Sequence, residues 1–386
     1  MSTTPCPPHV AVHVDATVLE LERERLFGRL WIFAGFAQAL ATPQSYFARR
    51  IAGVPVLLRR TAGGLRAFLN QCAHRGMPLQ HEGFGEGATV CPYHGWSYDG
   101  DGRVEAIPNK ALYGLAPGAL PGGLRPLALR RIGDLLFVNL ADDPMPIETQ
   151  FAPEMIAAIE ALSEHLDREV IHASFPVRYN WKLNMENVKD GNHVPFVHAR
   201  GFATALRSGD APMPAVEGAD TRHITAPGVR TRQDSVPALS ALSYATSAPL
   251  SLRPGWWAPF VKRFVPDAGS AERYYNWFLY PNVNLASVNG LHFLLQQFDP
   301  VAPDRTDFHL WMMTARRTGN APDITALLRT LLDAERRVIE EDVRLLESMQ
   351  ASLGPWTPVP VLGAHEAPLA AQQRWHALHV LGEARP

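Results

Sequence analysis

The sequence has only three cysteines in 386 residues, Cys6, Cys72 and Cys91. An odd, sparse set excludes a disulfide scaffold and suits a reducing compartment. Neither sign of charge is in excess: 36 Lys and Arg against 38 Asp and Glu leave a net charge of −2. That balance lacks the basic stripe of a nucleic-acid binder and the polybasic patch drawn to an anionic membrane. Long hydrophobic runs are missing as well. The longest apolar stretch, residues 30–41, is too short to span a bilayer. The opening stretch MSTTPCPPHVAVHVDATV has neither a basic start nor a long apolar centre, so no signal peptide is expected. These absences leave a cytoplasmic globular protein as the expectation. With 46% hydrophobic residues, the chain can build a sizeable core, and its length points to two domains.

The texture changes along the chain. Residues 1–16 are Pro-rich. Residues 17–40 carry Leu19, Leu21, Leu26, Leu30 and Phe33 among charges, a helical pattern. The segment 1–41 is expected to be helical and to pack with the C-terminal domain. From about residue 46, short apolar runs alternate with Gly-bearing turns, and Asp99-Gly100-Asp101-Gly102 reads as a hairpin loop. Residues 42–145 therefore read as a small β domain. Residues 146–386 mix helix (151–166, 181–196, 323–350) with strand (170–179, 274–280, 285–288, 292–298, 307–314), an α+β pattern. Residues 205–257 show little periodicity and read as an irregular lid.

Two constellations carry chemistry. Cys72-Ala73-His74 and Cys91-Pro92-Tyr93-His94 form a C-x-H…C-x-x-H pattern, each half in a Gly-bearing turn. Two thiolates and two imidazoles can hold a 2Fe-2S cluster, with both Cys on one iron and both His on the other. Zinc is the alternative, although finger-type sites pair Cys with Cys and His with His. The second constellation lies in residues 180–198. Glu186, Asp190 and His193 are spaced i, i+4, i+7 and would share one helix face. His198 lies about 140° further round, and Pro195 would kink the helix to aim both imidazoles at one metal. Two His and one carboxylate make the open facial site of non-heme Fe(II) enzymes. A merely solvated polar face is the bland alternative. For the carboxylate, the 323–350 helix places Ile324, Leu328, Leu331, Val338, Ile339, Leu345, Leu346 and Met349 within about 60° of Asp342. Only Asp342 and Glu335 break that stripe. Asp342 is chosen, with Glu335 reaching water or an Arg and Glu341 and Glu347 as surface charges.

CAHRG…CPYHGW resembles the Rieske motif of the ring-hydroxylating (Rieske non-heme iron) oxygenases, and Asp190-x2-His193-x4-His198 resembles their catalytic motif. The resemblance spans nearly the whole chain. It implies a β-sandwich Rieske domain (42–145) and a helix-grip catalytic domain with an antiparallel sheet (146–386). It implies that Cys72, His74, Cys91 and His94 hold the 2Fe-2S cluster and that His193, His198 and Asp342 hold a mononuclear Fe(II). Asp190 would then be an inter-subunit bridge joining His193 to the neighbour's cluster histidine. The respiratory type of Rieske protein has a serine where this chain has Trp96, so a lower potential is expected here. Implied partners are a reductase or ferredoxin, supplied by NAD(P)H only indirectly, and two further copies in a homotrimer. Implied chemistry is O2-dependent mono- or dioxygenation of a small molecule, first an aromatic ring or aromatic acid. Oxidation and N-dealkylation of a quaternary ammonium compound is the second choice, with slight support from Trp256, Trp257 and Trp277. An electron carrier without catalysis is the third. Arg207, Arg222, Arg230, Arg232 and Arg253, in or beside the lid, could clamp a carboxylate. The remaining histidines have no metal-like spacing.

Overall fold

The computed structural model describes residues 7–115, 122–198, 236–249, 273–288, 290–318, 323, 325–363 and 366–383. The chain divides into two compact units, Phe27–Ile147 and Met1–Leu26 with Glu148–Pro386. Cys6, Arg207, Arg222, Arg230, Arg232, Arg253, Trp256, Trp257, His223 and His365 lie outside the described residues.

The unit Phe27–Ile147 is built from ten short strands: β1 Ile32–Phe36, β2 Ser45–Ile51, β3 Val54–Thr61, β4 Gly64–Leu69, β5 Gly83–Glu86, β6 Thr89–Val90, β7 Ser97–Tyr98, β8 Val104–Ala106, β9 Pro126–Ile132 and β10 Leu135–Asn139. They form a seven-stranded sheet in the order β1-β10-β9-β4-β3-β2-β5 and a three-stranded sheet β6-β7-β8. Asp99 builds the β7–β8 turn by accepting from the Asp101 and Arg103 amides at 2.9 and 2.8 Å, an Asx-type turn. One expectation is corrected here. The helical pattern read over 17–40 ends by Phe27, and residues 32–36 form β1 against β10. All five residues of β1 are buried. A fully buried Ile-Phe-Ala-Gly-Phe run has no amphipathic period, so sheet pairing overrides the leucine spacing that precedes it.

In the other unit, β11 Ile171–Val177, β12 Tyr244–Pro249, β13 Arg273–Leu279, β14 Val283–Val288, β15 His292–Ala302 and β16 Arg305–Thr314 form one antiparallel sheet, ordered β11-β16-β15-β14-β13-β12. β12, with a 3-10 turn at Leu239–Leu242 before it, falls within the stretch read as irregular. Its Ala-Ser-Pro composition hides a strand that Tyr244 anchors on Phe278, ring centroids 4.7 Å apart. Helices α1 Pro8–Val14, α2 Ala16–Glu22, α3 Pro153–His165, α4 Trp181–Asn187, α5 Val194–Val197, α6 Thr325–Ser352 and α7 Ala367–His376 complete this unit. The long helix α6 lies against β11, β16 and α4. Its last turns leave Leu345 and Met349 exposed, so the apolar stripe is buried only in part.

A buried carboxylate ties three of these helices together. Glu22 on α2, with no exposure, accepts from Lys182 Nζ at 2.6 Å and Trp181 Nε1 at 2.9 Å, and meets His376 Nε2 at 2.8 Å. Burial alone would raise the Glu22 carboxyl; the Lys182 ammonium and His376 outweigh it and bring it down to about 2. Because the folded value is depressed, this stabilisation is present above the unfolded carboxyl's range and is lost as pH falls from about 4.5 toward 2. Replacing Glu22 by alanine leaves Lys182 buried and unpaired, which is expected to cost about 3–5 kcal/mol. Denaturant midpoints at pH 7 measure this, and a loss below about 1 kcal/mol would mean that water reaches Lys182.

Candidate metal centres

The two Cys-His halves fold as near copies of one loop. The Cys72 amide donates to Met77 O at 2.8 Å and the Gly76 amide to Cys72 O at 2.8 Å; the Cys91 amide donates to Trp96 O at 2.8 Å and the Gly95 amide to Cys91 O at 3.0 Å. Each loop turns on a glycine with left-handed backbone, φ 72° at Gly76 and 71° at Gly95. A side chain at Gly95 would also press on Pro108 at 3.0 Å. The loops therefore require glycine for their shape. Both cysteines are buried and unbridged, whereas His74 and His94 are half-buried. Their rings meet edge to face at 4.8 Å. Trp96 stacks flat on His74 at 4.9 Å, and Tyr113 edges both rings. His94 Nδ1 is buried without a hydrogen-bond partner, as expected of a ligand atom. Burial pushes the Cys72 thiol up, so the thiolate requires the metal's own charge.

The spread of these four ligands separates the two metals considered. Ligands of one tetrahedral zinc sit ~3.4–3.8 Å from one another, given bonds of about 2.0–2.3 Å. Among the described residues, the one group of three or more such atoms within 4.8 Å of each other is His193, His198 and Asp342. Cys72, His74, Cys91 and His94 form no such group, while His74 and His94 pair ring to ring at 4.8 Å. Two thiolates and two imidazoles presented by twin loops suit two irons rather than one ion.

The second centre is built from α4, α5 and α6. Asn180 caps α4 by accepting from the Lys182 amide at 3.1 Å, and the helix stops at Asn187. The continuous kinked helix expected over 181–196 is corrected: Asp190 and His193 lie in the turn between α4 and α5, and His193 stands just before α5 with its side chain free of any capping bond. Gly191 and Pro195 together break the helix, rather than bending it. Glu186 is consequently turned away and pairs with His13 at 3.4 Å. His193 Nε2 lies 3.6 Å and His198 Nε2 3.2 Å from Asp342 Oδ1. Yet Asp342 Oδ1 makes no hydrogen bond. A carboxylate oxygen left unsatisfied before two imidazole nitrogens suits a divalent ion between them. Asp190 Oδ2 is 3.7 Å from His193 Nδ1, and its Oδ1 accepts from the Asn192 amide at 2.7 Å.

The sequence reading missed Glu341. It was assigned to the surface, but its Oε2 meets His198 Nδ1 at 2.8 Å. That bond fixes the tautomer and frees Nε2 for a metal. Burial alone would lower His198; the Asp342 and Glu341 carboxylates outweigh it and raise it above the usual imidazole value. The signal lay in adjacency. On a helix, neighbours Glu341 and Asp342 diverge by about 100°, yet a long Glu arm can reach the far side of an imidazole that Asp342 meets directly. Glu341→Ala is expected to weaken metal binding at His198 about 10–100-fold. Metal titration of the metal-free protein checks it, and unchanged affinity would return Glu341 to the surface. Glu335 instead lies 3.5 Å from His292 Nε2. Lys189, beside Asp190, is brought down to about 7 by burial and bonds Gln372. Trp277 on β13 stacks on Tyr275. His172 and His309 contact each other at 3.2 Å outside any metal-like group.

With this geometry in place, comparison with known proteins is informative. The ring hydroxylating alpha subunit (catalytic domain) family matches residues 161–381, and the Rieske 2Fe-2S domain matches residues 30–116. Anthranilate 1,2-dioxygenase large subunit of Burkholderia cepacia is 30% identical over 197 residues, covering 48% of this chain and 46% of that protein. Glycine betaine monooxygenase oxygenase subunit of Chromohalobacter salexigens is 32% identical over 188 residues, covering 48% and 41%. The matches span about half the length of these curated relatives. Among solved structures, naphthalene 1,2-dioxygenase from Rhodococcus sp. bound to indole superposes with TM-score 0.72 at 20% identity, covering 97% of this chain and 94% of that one. The quaternary ammonium Rieske monooxygenase CntA with L-carnitine superposes with TM-score 0.70 at 19% identity, covering 96% and 94%. These likenesses establish a shared fold, α+β with a Rieske domain and an antiparallel catalytic domain. No helix among the described residues is long and apolar enough to cross a membrane.

Proposed function

Because the chain belongs to the ring-hydroxylating alpha subunit family, we propose that it is the terminal component of a Rieske oxygenase, which hydroxylates a small organic substrate with O2 and reductase-supplied electrons. One observation carries this reading: a His193–His198–Asp342 group within 4.8 Å shares a chain with twin Cys-His loops of one hydrogen-bond pattern. Iron at the first centre supplies O2 activation, and a 2Fe-2S cluster at the second supplies electrons one at a time. The residues divide the work. Buried Cys72 and Cys91 keep water from the sulfur side, while half-buried His74 and His94 bring the other side to the surface, where electrons enter and leave. His193, His198 and Asp342 would hold the iron, three ligands being few enough to leave room for O2 chemistry there. Glu341 orients His198. Asp190, held by the Asn192 amide, lies 3.7 Å from His193 Nδ1 and in a homotrimer would stand between His193 and the neighbouring subunit's cluster. A reductase, directly or through a ferredoxin, is the electron source, and the cytoplasm is the compartment. We take 42–145, with β1 added to its sheet, and 146–386, with residues 1–26, as the functional segments.

An aromatic ring or aromatic acid is the first substrate class. A quaternary ammonium compound is the second, the class named for the glycine betaine monooxygenase and CntA likenesses. Oxygen uptake with a surrogate reductase discriminates the classes: uptake coupled to product should appear with one of them. An iron-loaded enzyme that consumes no oxygen with either class would overturn the oxygenase reading.

A further inference from the structure

Helix α7 grips the stretch that carries Asp190 through its polar side chains. His376 meets Glu22, which in turn binds Lys182. Gln373 Nε2 donates to Glu186 Oε1 at 3.4 Å. Gln372 Oε1 accepts from Lys189 Nζ. The first two bonds act on α4. The third reaches the turn beyond it, one residue before Asp190. Lys189 Nζ also lies 5.6 Å from the ring centre of Tyr244 on β12 and 6.0 Å from that of Phe278 on β13. A cation is drawn to such ring faces, and a neutral amine is not. The backbone of the turn hangs on α4: the Lys189 amide donates to Glu186 O at 3.2 Å and the Asp190 amide to Asn187 O at 3.1 Å. The Lys189 side chain adds ties to α7, β12 and β13. Its neighbour is sensitive to them. Asp190 Oδ2 stands 3.7 Å from His193 Nδ1, just beyond hydrogen-bond range, so a small shift of the turn makes or loses that contact.

We propose that Lys189 is a positioning residue: its ammonium, seated on Gln372 and the rings of Tyr244 and Phe278, clamps the turn that holds Asp190 opposite His193, so that electron transfer past Asp190 requires a charged lysine. The transfer half of this inference rests on the Asp190 path of the proposed function. Lys189 itself gives up neither proton nor electron; the electron is the one the reductase supplies. The groups around the ammonium leave the switch to Lys189. Glu186 on α4 favours the cation but is shared with His13 of α1 and Gln373 of α7. Asp190 is the next residue and is held by the Asn192 amide. Tyr244 stays a neutral phenol, burial raising it to about 13. His376 on α7 is spent on Glu22. Burial outweighs Glu186 and brings the Lys189 ammonium down to about 7. The cation, and the clamp with it, is therefore present below that pH and lost above it.

The first experiment is amide hydrogen exchange over residues 187–193 of the purified full chain, corrected for the intrinsic pH dependence of exchange. Wild-type protection should fall about tenfold between about pH 6 and about pH 8.5 as the cation–ring attraction is lost. Lys189→Met keeps the length of the arm without its charge, and should show the low protection at both values. Lys189→Arg stays charged throughout and should keep the high protection at both. A lysine that only filled space would give wild-type protection independent of pH. That result, or full protection in Lys189→Met at the lower pH, would overturn the clamp. The wild-type profile needs no variant to fold. The second experiment follows reoxidation of the reduced cluster by stopped flow, with substrate and O2 present. Lys189→Met should be about tenfold slower than wild type at about pH 6 and equal to it at about pH 8.5. Equal rates at the lower pH would sever Lys189 from the Asp190 path. A wild-type protein that transfers no electron at any pH would instead remove the proposed function, and the exchange data would still decide the clamp.

Discussion

Asp342→Ala is expected to empty the mononuclear site and leave the cluster untouched. Three candidate ligands converge there, and removing the carboxylate leaves two imidazoles with no anion between them. Nothing then balances the charge of a divalent ion, and a facial site becomes a two-point contact. Turnover should fall by at least about 10³-fold, since no other residue supplies O2 chemistry. Asp342→Asn separates charge from size: it keeps a ligand oxygen but loses the anion, and should bind iron weakly. Iron per chain should drop by one in Asp342→Ala, with an unchanged EPR signal after reduction. Full iron content and activity in that variant would move the third ligand elsewhere, and Glu335 is already engaged by His292.

Asp190→Ala should have the opposite profile, with both metals present and turnover reduced about 100-fold or more. Asp190 stands outside the convergent group, but it approaches the outer nitrogen of His193 at 3.7 Å. Its side chain is 29% exposed there, which leaves it accessible. The test is kinetic. Reductant should still reduce the cluster at the normal rate, while substrate and O2 should no longer draw that electron off. Coupled turnover at the wild-type rate would remove Asp190 from the electron path.

The parts of the molecule legible in the sequence are those with short-range spacing. The loop at Cys72–His74 and the loop at Cys91–His94 each close over a few residues with one obligatory glycine, so their chemistry is written locally. Asp342 is legible for a different reason: a carboxylate inside the apolar stripe of a long helix is costly unless something binds it. What the sequence hid depends on tertiary contact. The strand at 32–36 is defined by β10, a hundred residues away. The 181–198 region carries a true carboxylate–His spacing but not a continuous helix, and Glu186 shared that spacing while being claimed by His13. Glu341 was discarded because helix geometry describes where a Cα–Cβ bond points, and a Glu side chain extends well beyond it.

Metal analysis of anaerobically purified protein, with EPR after dithionite reduction, bears most directly on the two-centre account. About three irons per chain, with a reduced signal typical of mixed Cys and His ligation, are the predicted result. Zinc in place of iron, without that signal, would contradict it.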